Sequence, residues 1–221
     1  MLQENKQPQT MHLLNDQIIF PSTEEADDDG LLAIGGDLSP QRLLLAYRSG
    51  IFPWYNEGQP ILWWSPNPRF VLYPEKLRVS KSMQQLIRSG RFTFTVNNAF
   101  EQVISNCKTI NRNGQDGTWI TYDMQQAFIK LHHMGHAHSA EAWTDGKLAG
   151  GLYGVLSGKV FCGESMFSKI SNASKFAFIH FIHHLQQQGI KLIDCQVYTE
   201  HLASLGAEMI DRKTFLKILQ Q

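Results

Sequence analysis

Asp194 and Gln196 lie two residues apart in Lys191-Leu192-Ile193-Asp194-Cys195-Gln196-Val197, where apolar residues bracket two polar ones. Side chains alternate along a strand, so the pair is expected on one face, one pleat apart. A carboxylate in such a strand is costly unless it has a partner, because desolvation disfavours its charged form. An Asp beside an amide in this setting suits a site that holds a cation or guides a proton. The competing reading is a buried Asp satisfied by backbone amides, since structural networks also perturb carboxylates. Phe161-Cys162-Gly163-Glu164-Ser165-Met166-Phe167 holds the other polar intrusion in an apolar strand. Strict alternation separates Phe161 from Glu164. A bulge at Gly163 would bring both to one side, and bulges recur beside active sites; otherwise this is an edge strand with Glu164 in solvent.

Trp54, Trp63, Trp64 and Trp119 are expected in loops or at element ends. Loop aromatics can stack on an unpaired base; the alternative is a hydrophobic cluster between two domains, which weighs most for Trp63 and Trp64. The histidines cluster at His132/His133, His136/His138 and His180/His183/His184, without a His-Glu-x-x-His motif, and no metal site is expected. Gly35-Gly36 lacks the Lys-Ser/Thr of a phosphate loop, which argues against ATP-driven chemistry. Gly150-Gly151 reads as a place where backbones approach closely.

The elements that must position these residues follow from punctuation and periodicity. Ser39 caps a helix with Pro40 at its first position, Leu43, Leu44 and Tyr47 facing inward, and a stop at Gly50. The Pro-broken aromatic run from Ile51 to Pro68 cannot be regular helix and fits a loop-built surface or a domain junction near residue 67; the junction gives an N-terminal unit 1–67 and a second unit 68–221. Ser80 caps a helix ending at Gly90, Arg91 to Val96 alternates as a strand, and Asn97 or Asn98 caps a helix carrying Phe100, Val103 and Ile104. A helix from Tyr122 to Met134 precedes strands over 136–143, 147–156 and 159–167, turned at Asp145-Gly146 and Ser157-Gly158. A largely apolar helix over 173–188 leads through Gly189 to the Asp194 strand, and a short helix with Phe215, Leu216 and Leu219 ends the pattern. The class is α+β: an antiparallel meander, then a helix and a further strand available to the same sheet.

Composition sets the outer limits. The chain has 221 residues, 43% hydrophobic and 18% charged, which is enough for one large or two modest globular domains. Net charge is 0, so nucleic-acid contact must come from a local patch. Cys107, Cys162 and Cys195, odd in number and without metal-like spacing, argue for reducing cytoplasm. The polar stretch Met1 to Thr10 has no signal-peptide core, and no apolar run is long enough for a membrane span.

Several strings in order carry a resemblance. Leu31-Leu32-Ala33-Ile34-Gly35-Gly36-Asp37-Leu38, Gly50-Ile51-Phe52-Pro53-Trp54, Trp63-Trp64-Ser65-Pro66, Gly117-Thr118-Trp119-Ile120-Thr121, Phe161 to Phe167 and Leu192-Ile193-Asp194-Cys195-Gln196 together resemble the bacterial leucyl/phenylalanyl-tRNA–protein transferases over roughly residues 20 to 210. The resemblance implies a small N-terminal domain and a GNAT-like (acetyltransferase-like) domain. It implies transfer of Leu or Phe, less readily Met, from leucyl-tRNA or phenylalanyl-tRNA to proteins beginning with Arg or Lys, marking them for degradation, with no cofactor. By motif, Trp54, Trp119 and Glu164 would contact the 3′-terminal adenosine. Leu152, Phe161, Met166, Phe178, Phe181, Leu185 and Ile193 would line the side-chain pocket, and Asp194 and Gln196 would form the reaction centre. Lys81, Arg88 and Arg91 would meet the tRNA backbone, on a segment less basic than in some relatives.

An aminoacyl ester is already activated, so its aminolysis needs positioning, amine deprotonation and oxyanion stabilisation, and no ATP. Asp194 could hold the incoming ammonium or act as base; Gln196 could orient it or relay a proton. Cys195 alternates away from Asp194, which favours direct transfer over a covalent enzyme intermediate. Two rivals remain at this level. A coenzyme-A-dependent N-acetyltransferase would need a glycine-rich pyrophosphate turn, where Ser168 to Lys175 has no glycine. A non-catalytic RNA-binding module would use the tryptophans but leave Asp194 and Gln196 without a job.

Overall fold

The computed structural model describes residues 11–110 and 120–221. Strands β1 (His12–Leu14), β2 (Leu31–Gly35), β3 (Phe52–Pro53) and β4 (Leu62–Trp64) form one sheet in the order β1-β2-β4-β3, with helix α1 (Pro40–Arg48) between β2 and β3. A larger sheet is built from β5 (Arg69–Leu72), β6 (Thr93–Val96), β7 (Ala137–Thr144), β8 (Lys147–Ser157), β9 (Val160–Ser168), β10 (Leu192–Gln196) and β11 (Glu208–Ile210). Its order is β11-β5-β10-β9-β8-β7-β6. Helices α2 (Lys81–Arg88), α3 (Phe100–Thr109), α4 (Tyr122–His133), α5 (Ala173–Gln187), α6 (Glu200–Ser204) and α7 (Arg212–Leu219) complete it. The class is α+β with a mixed sheet, as expected: β7, β8 and β9 form the antiparallel meander, while β10 pairs parallel to β9 and antiparallel to β5.

Two apolar clusters cover the faces of the large sheet. One joins the small sheet to α1, α3, α4 and α7 through Trp63, Tyr47, Phe100, Phe128, Tyr153 and Phe215. The other is built on α5, with Phe176, Phe178, Phe181 and Leu185 against Leu152, Phe161 and Ile193. A helix apolar around most of its surface must be buried, and α5 is. Gly150 and Gly151 permit this packing: a Cβ at Gly150 would stand 2.7 Å from the Ala173 Cβ, and one at Gly151 2.7 Å from the Ala140 carbonyl oxygen.

Ser39, Ser80 and Thr121 cap α1, α2 and α4 by accepting backbone N–H bonds. The expected Asn cap on α3 is not found. Ala99 holds the cap position, and the buried Glu141 carboxylate of β7 accepts the N–H groups of Asn98 and Ala99 instead. Asn97 turns through positive φ, and its side chain holds the Ser139 N–H. The turn between β8 and β9 is Gly158-Lys159, one residue beyond the expected pair, and β6 starts at Thr93 instead of Arg91. Trp64 ends β4, as expected of an element end, while Trp63 stands inside the strand. Trp63 is fully buried with its indole N–H on the Gly35 carbonyl, which settles it as core.

Candidate active site

Strands β9 and β10 pair only over Val160–Cys162 and Leu192–Asp194. Beyond these residues they part, and a cavity of about 640 Å³ opens between their diverging ends. Both strands are irregular there. In β9, Tyr153 faces Ser165 and Gly154 faces Gly163, so Glu164 is the extra residue of a bulge. In β10, Asp194 faces Val71 and Gln196 faces Phe70, so Cys195 is extra, and Gln196 adopts φ +64.

The β9 bulge sorts side chains in a way that simple alternation does not. It was expected to bring Phe161 and Glu164 together. Instead Phe161 and Met166 share the α5 face, while Glu164 reaches Tyr47 of α1 on the other side. Nor is β9 an edge strand, since it lies between β10 and β8.

Asp194 is fully buried and its partner is Arg69, at the start of β5. The guanidinium binds it with both arms: Nε donates to Oδ1 at 2.8 Å and Nη2 to Oδ2 at 2.7 Å. Oδ1 also accepts the Gln196 backbone N–H at 2.9 Å. The Arg69 Cζ lies 4.7 Å from the ring centroids of both Phe52 and Phe215, between aromatic faces that favour a cation. Asp194 is therefore satisfied by an arginine as well as by a backbone amide. Arg69 was not singled out from the sequence; its one visible signal was an arginine opening an apolar stretch, Arg69-Phe70-Val71-Leu72.

Gln196 carries the network on. Its side-chain Nε2 donates to Glu164 Oε1 at 2.8 Å, and the Tyr47 hydroxyl donates to the same oxygen at 2.9 Å. With one N–H of its NH₂ committed to Glu164, the Gln196 amide keeps its carbonyl oxygen and its second N–H to meet a ligand. Burial raises the Glu164 carboxyl to about 8, against the two donors, which favour its charged form. Near neutral pH the residue is thus an uncharged acid beside the neutralised Asp194. Burial also pushes the Cys162 and Cys195 thiols up, which leaves neither a nucleophile.

The cavity brings together Trp54, Leu152, Glu164, Met166, Phe178, Ile193, Asp194 and Gln196 from the expected site. Phe161, Phe181 and Leu185 are not in its lining: they are buried within the α5 cluster, where Phe161 and Phe181 meet edge to face at 4.9 Å. They support the pocket wall and do not form it. Trp54 sits at the rim, 41% exposed, with its carbonyl accepting the Trp64 indole N–H. Trp119 lies outside the described residues. Lys81, Arg88 and Arg91 lie on or just after α2, away from the cavity lining. Two of the clustered histidines pack on aromatic rings: His132 stacks on Phe100 at 4.2 Å, and His180 lies against Phe94 and Phe176. Among the described residues no group of three or more His, Cys, Asp or Glu could hold a metal ion.

Two family models match in tandem. The leucyl/phenylalanyl-tRNA protein transferase N-terminal domain matches residues 36–67, and leucyl/phenylalanyl-tRNA protein transferase matches residues 71–220. The chain belongs to this family. Curated relatives bearing the name leucyl/phenylalanyl-tRNA–protein transferase include one from Christiangramia forsetii, 57% identical over 95% of this chain and 100% of its own. Another, from Flavobacterium johnsoniae, is 55% identical over 95% of this chain and 99% of its own. Among solved structures, a GCN5-related N-acetyltransferase from Kribbella flavida aligns with a TM-score of 0.39 at 10% identity, covering 77% of this chain and 60% of that one. Family membership makes the chain an aminoacyltransferase that moves an aminoacyl group from tRNA to protein. Among the described residues no helix is long and apolar enough to cross a membrane.

Proposed function

We propose that the protein transfers Leu or Phe, and less readily Met, from aminoacyl-tRNA to the α-amino group of cytoplasmic proteins that begin with Arg or Lys, marking them for degradation. The observation that carries this reading is the wedge between β9 and β10. It pairs an apolar wall (Leu152, Met166, Phe178, Ile193) with a hydrogen-bonded polar wall (Asp194, Gln196, Glu164) in one cavity. The apolar wall suits the donor side chain. Trp54 at the rim suits the terminal adenosine, the role also assigned by motif to Trp119, and Glu164, as an uncharged acid, can donate a hydrogen bond to it. Residues 1–67 act as the smaller unit and 68–221 as the transferase unit, with Lys81, Arg88 and Arg91 available to phosphates outside the cavity.

The polar wall suits aminolysis. Arg69 neutralises Asp194, so Asp194 orients and does not itself bind the ammonium. The Gln196 carbonyl accepts an N–H of the incoming amine and aligns its lone pair with the ester carbon. The ribose oxygen leaves with the proton that the amine gives up, so no covalent enzyme intermediate is needed. Holding the two reactants in register is where such a site gains most of its rate.

The test is to mix the protein with leucyl-tRNA and peptides that begin with Arg, Lys, Glu or Ala. Product from the first two alone supports the reading. No product with any peptide, despite tRNA binding, would leave an RNA-binding module, and equal product from all four would remove the cationic-acceptor assignment. Stabilisation by micromolar acetyl-CoA in a thermal shift would favour the acetyltransferase rival instead.

A further inference from the structure

The reaction centre proposed above depends on where Gln196 points, and its neighbour Asp194 in β10 can hold it there only with a partner from another strand. Gln196 sits in the left-handed region, immediately after the extra residue of a bulge, a backbone state that a non-glycine residue keeps only when its surroundings over-determine it. The bond from its backbone N–H to Asp194 Oδ1 supplies that constraint. Asp194 can serve only if its own carboxylate is fixed, and both of its oxygens are gripped by Arg69.

We infer that Arg69 is a positioning residue for the transfer reaction: its guanidinium, held between Phe52 and Phe215, locks Asp194, and Asp194 in turn locks the Gln196 turn that aims the amide into the cavity. Arg69 is not in the cavity lining, and its guanidinium contacts come from β3, β10 and α7. A plain counter-charge would not need this geometry. A lysine would supply the charge, but its ammonium cannot make two parallel N–H bonds from a planar fork or lie flat between two rings. The inference rests on Gln196 acting at the reaction centre and adds what makes Gln196 competent.

The experiment measures kcat and KM for leucyl-tRNA with an Arg-starting peptide for wild type, Arg69→Lys, Phe215→Leu and Gln196→Ala. Backbone amide exchange at Gln196 is followed in parallel. Arg69→Lys is expected to fold, keep KM within about threefold, lose about 10–100-fold in kcat through misplacement of the amide, and exchange the Gln196 N–H faster. Phe215→Leu, outside the cavity lining, is expected to show the same split more weakly. Unchanged kcat in Arg69→Lys would reduce Arg69 to a counter-charge and overturn the inference. So would a rise in KM alone, which would place Arg69 in donor binding. If Arg69→Lys does not fold, Phe215→Leu decides: full kcat with unchanged Gln196 exchange rejects the clamp. Failure of the underlying reading looks different: wild type then gives no product, or Gln196→Ala transfers at the wild-type rate.

Discussion

The Tyr47 hydroxyl donates to Glu164 Oε1 at 2.9 Å, joining the helix that follows β2 of the small sheet to the bulge in β9 of the large one. The contact is buried on the tyrosine side, and burial with the adjacent carboxyl pushes the phenol well above its ordinary range. The phenol therefore stays a donor across the working pH range. Whatever ionisation occurs in the pair belongs to Glu164.

That ionisation has a stability consequence. Glu164 titrates at about 8 in the folded protein against an ordinary 4.5, with burial the main cause. Between those values the folded state binds a proton that the unfolded state has lost. The contribution is therefore fully present below about 4.5, declines as pH rises, and is gone above about 8. Glu164→Gln keeps an uncharged side chain of similar shape and removes the titration. The wild-type melting temperature, relative to this variant, is expected to fall as pH goes from 5 to 9; a constant difference would show that Glu164 is not buried as an acid.

The donor pocket is expected to read branching. Leu152, Met166, Phe178 and Ile193 line one wall of the cavity, and a donor site there is expected to accept side chains slender at Cβ and bulky further out. Isoleucine and valine carry a second carbon at the mouth and are stiff at χ1. An apolar pocket discriminates by about 1–3 kcal/mol on such a difference, so isoleucyl-tRNA should lose to leucyl-tRNA by about tenfold or more without being excluded. Direct competition for one acceptor peptide measures it, and equal incorporation would contradict it.

Trp54 presents an indole that is 41% exposed beside Trp64, ring centroids 6.0 Å apart. Trp54→Ala should weaken aminoacyl-adenosine fragments by about 1–3 kcal/mol while the fold is kept, because the Trp64 indole bonds the backbone carbonyl at this position and not the side chain. Unchanged fragment affinity, by calorimetry, would return Trp54 to a purely structural role.

Glu141 gives a prediction away from the cavity. Its buried carboxylate takes the Thr95 and Ser139 hydroxyls and the backbone N–H groups that open α3. Glu141→Gln puts an NH₂ donor where acceptors are needed, at a helix N-terminus that favours negative charge. A loss of about 1–3 kcal/mol in urea unfolding is expected. A neutral result would mean that α3 finds another cap.

Much of the large sheet was legible, because its long elements carry strong periodicity and turn residues: Ser80, Asp145-Gly146 and Gly189 punctuate it clearly. The Asp194 and Gln196 pair was legible as polar residues in an apolar strand, but not on the regular pleat expected, because Cys195 is an extra residue between them and Gln196 turns to φ +64. What stayed hidden depends on contacts far apart in the chain. The Arg69 partner lies 125 residues from Asp194, and no local pattern connects them. The short strands β3, β5 and β11 hold too few residues to show a period. The bulge in β9 moved Met166 to the Phe161 face, a parity change invisible without the partner strand. Phe161, Phe181 and Leu185 were read as pocket lining; they are apolar and buried but absent from the lining, because burial does not distinguish a pocket wall from the layer behind it.

The ring around the Arg69 guanidinium also sets an order in time. Phe52 and Arg69 leave the ribosome early, Asp194 late, and Phe215, from α7, later still. Until α7 has been made and has docked, one aromatic wall of the clamp is missing, although every residue that lines the cavity has already been synthesised. Helix α7 therefore closes the clamp from outside the cavity: a nascent chain that already holds every lining residue still lacks the Phe215 face against which Arg69 grips Asp194.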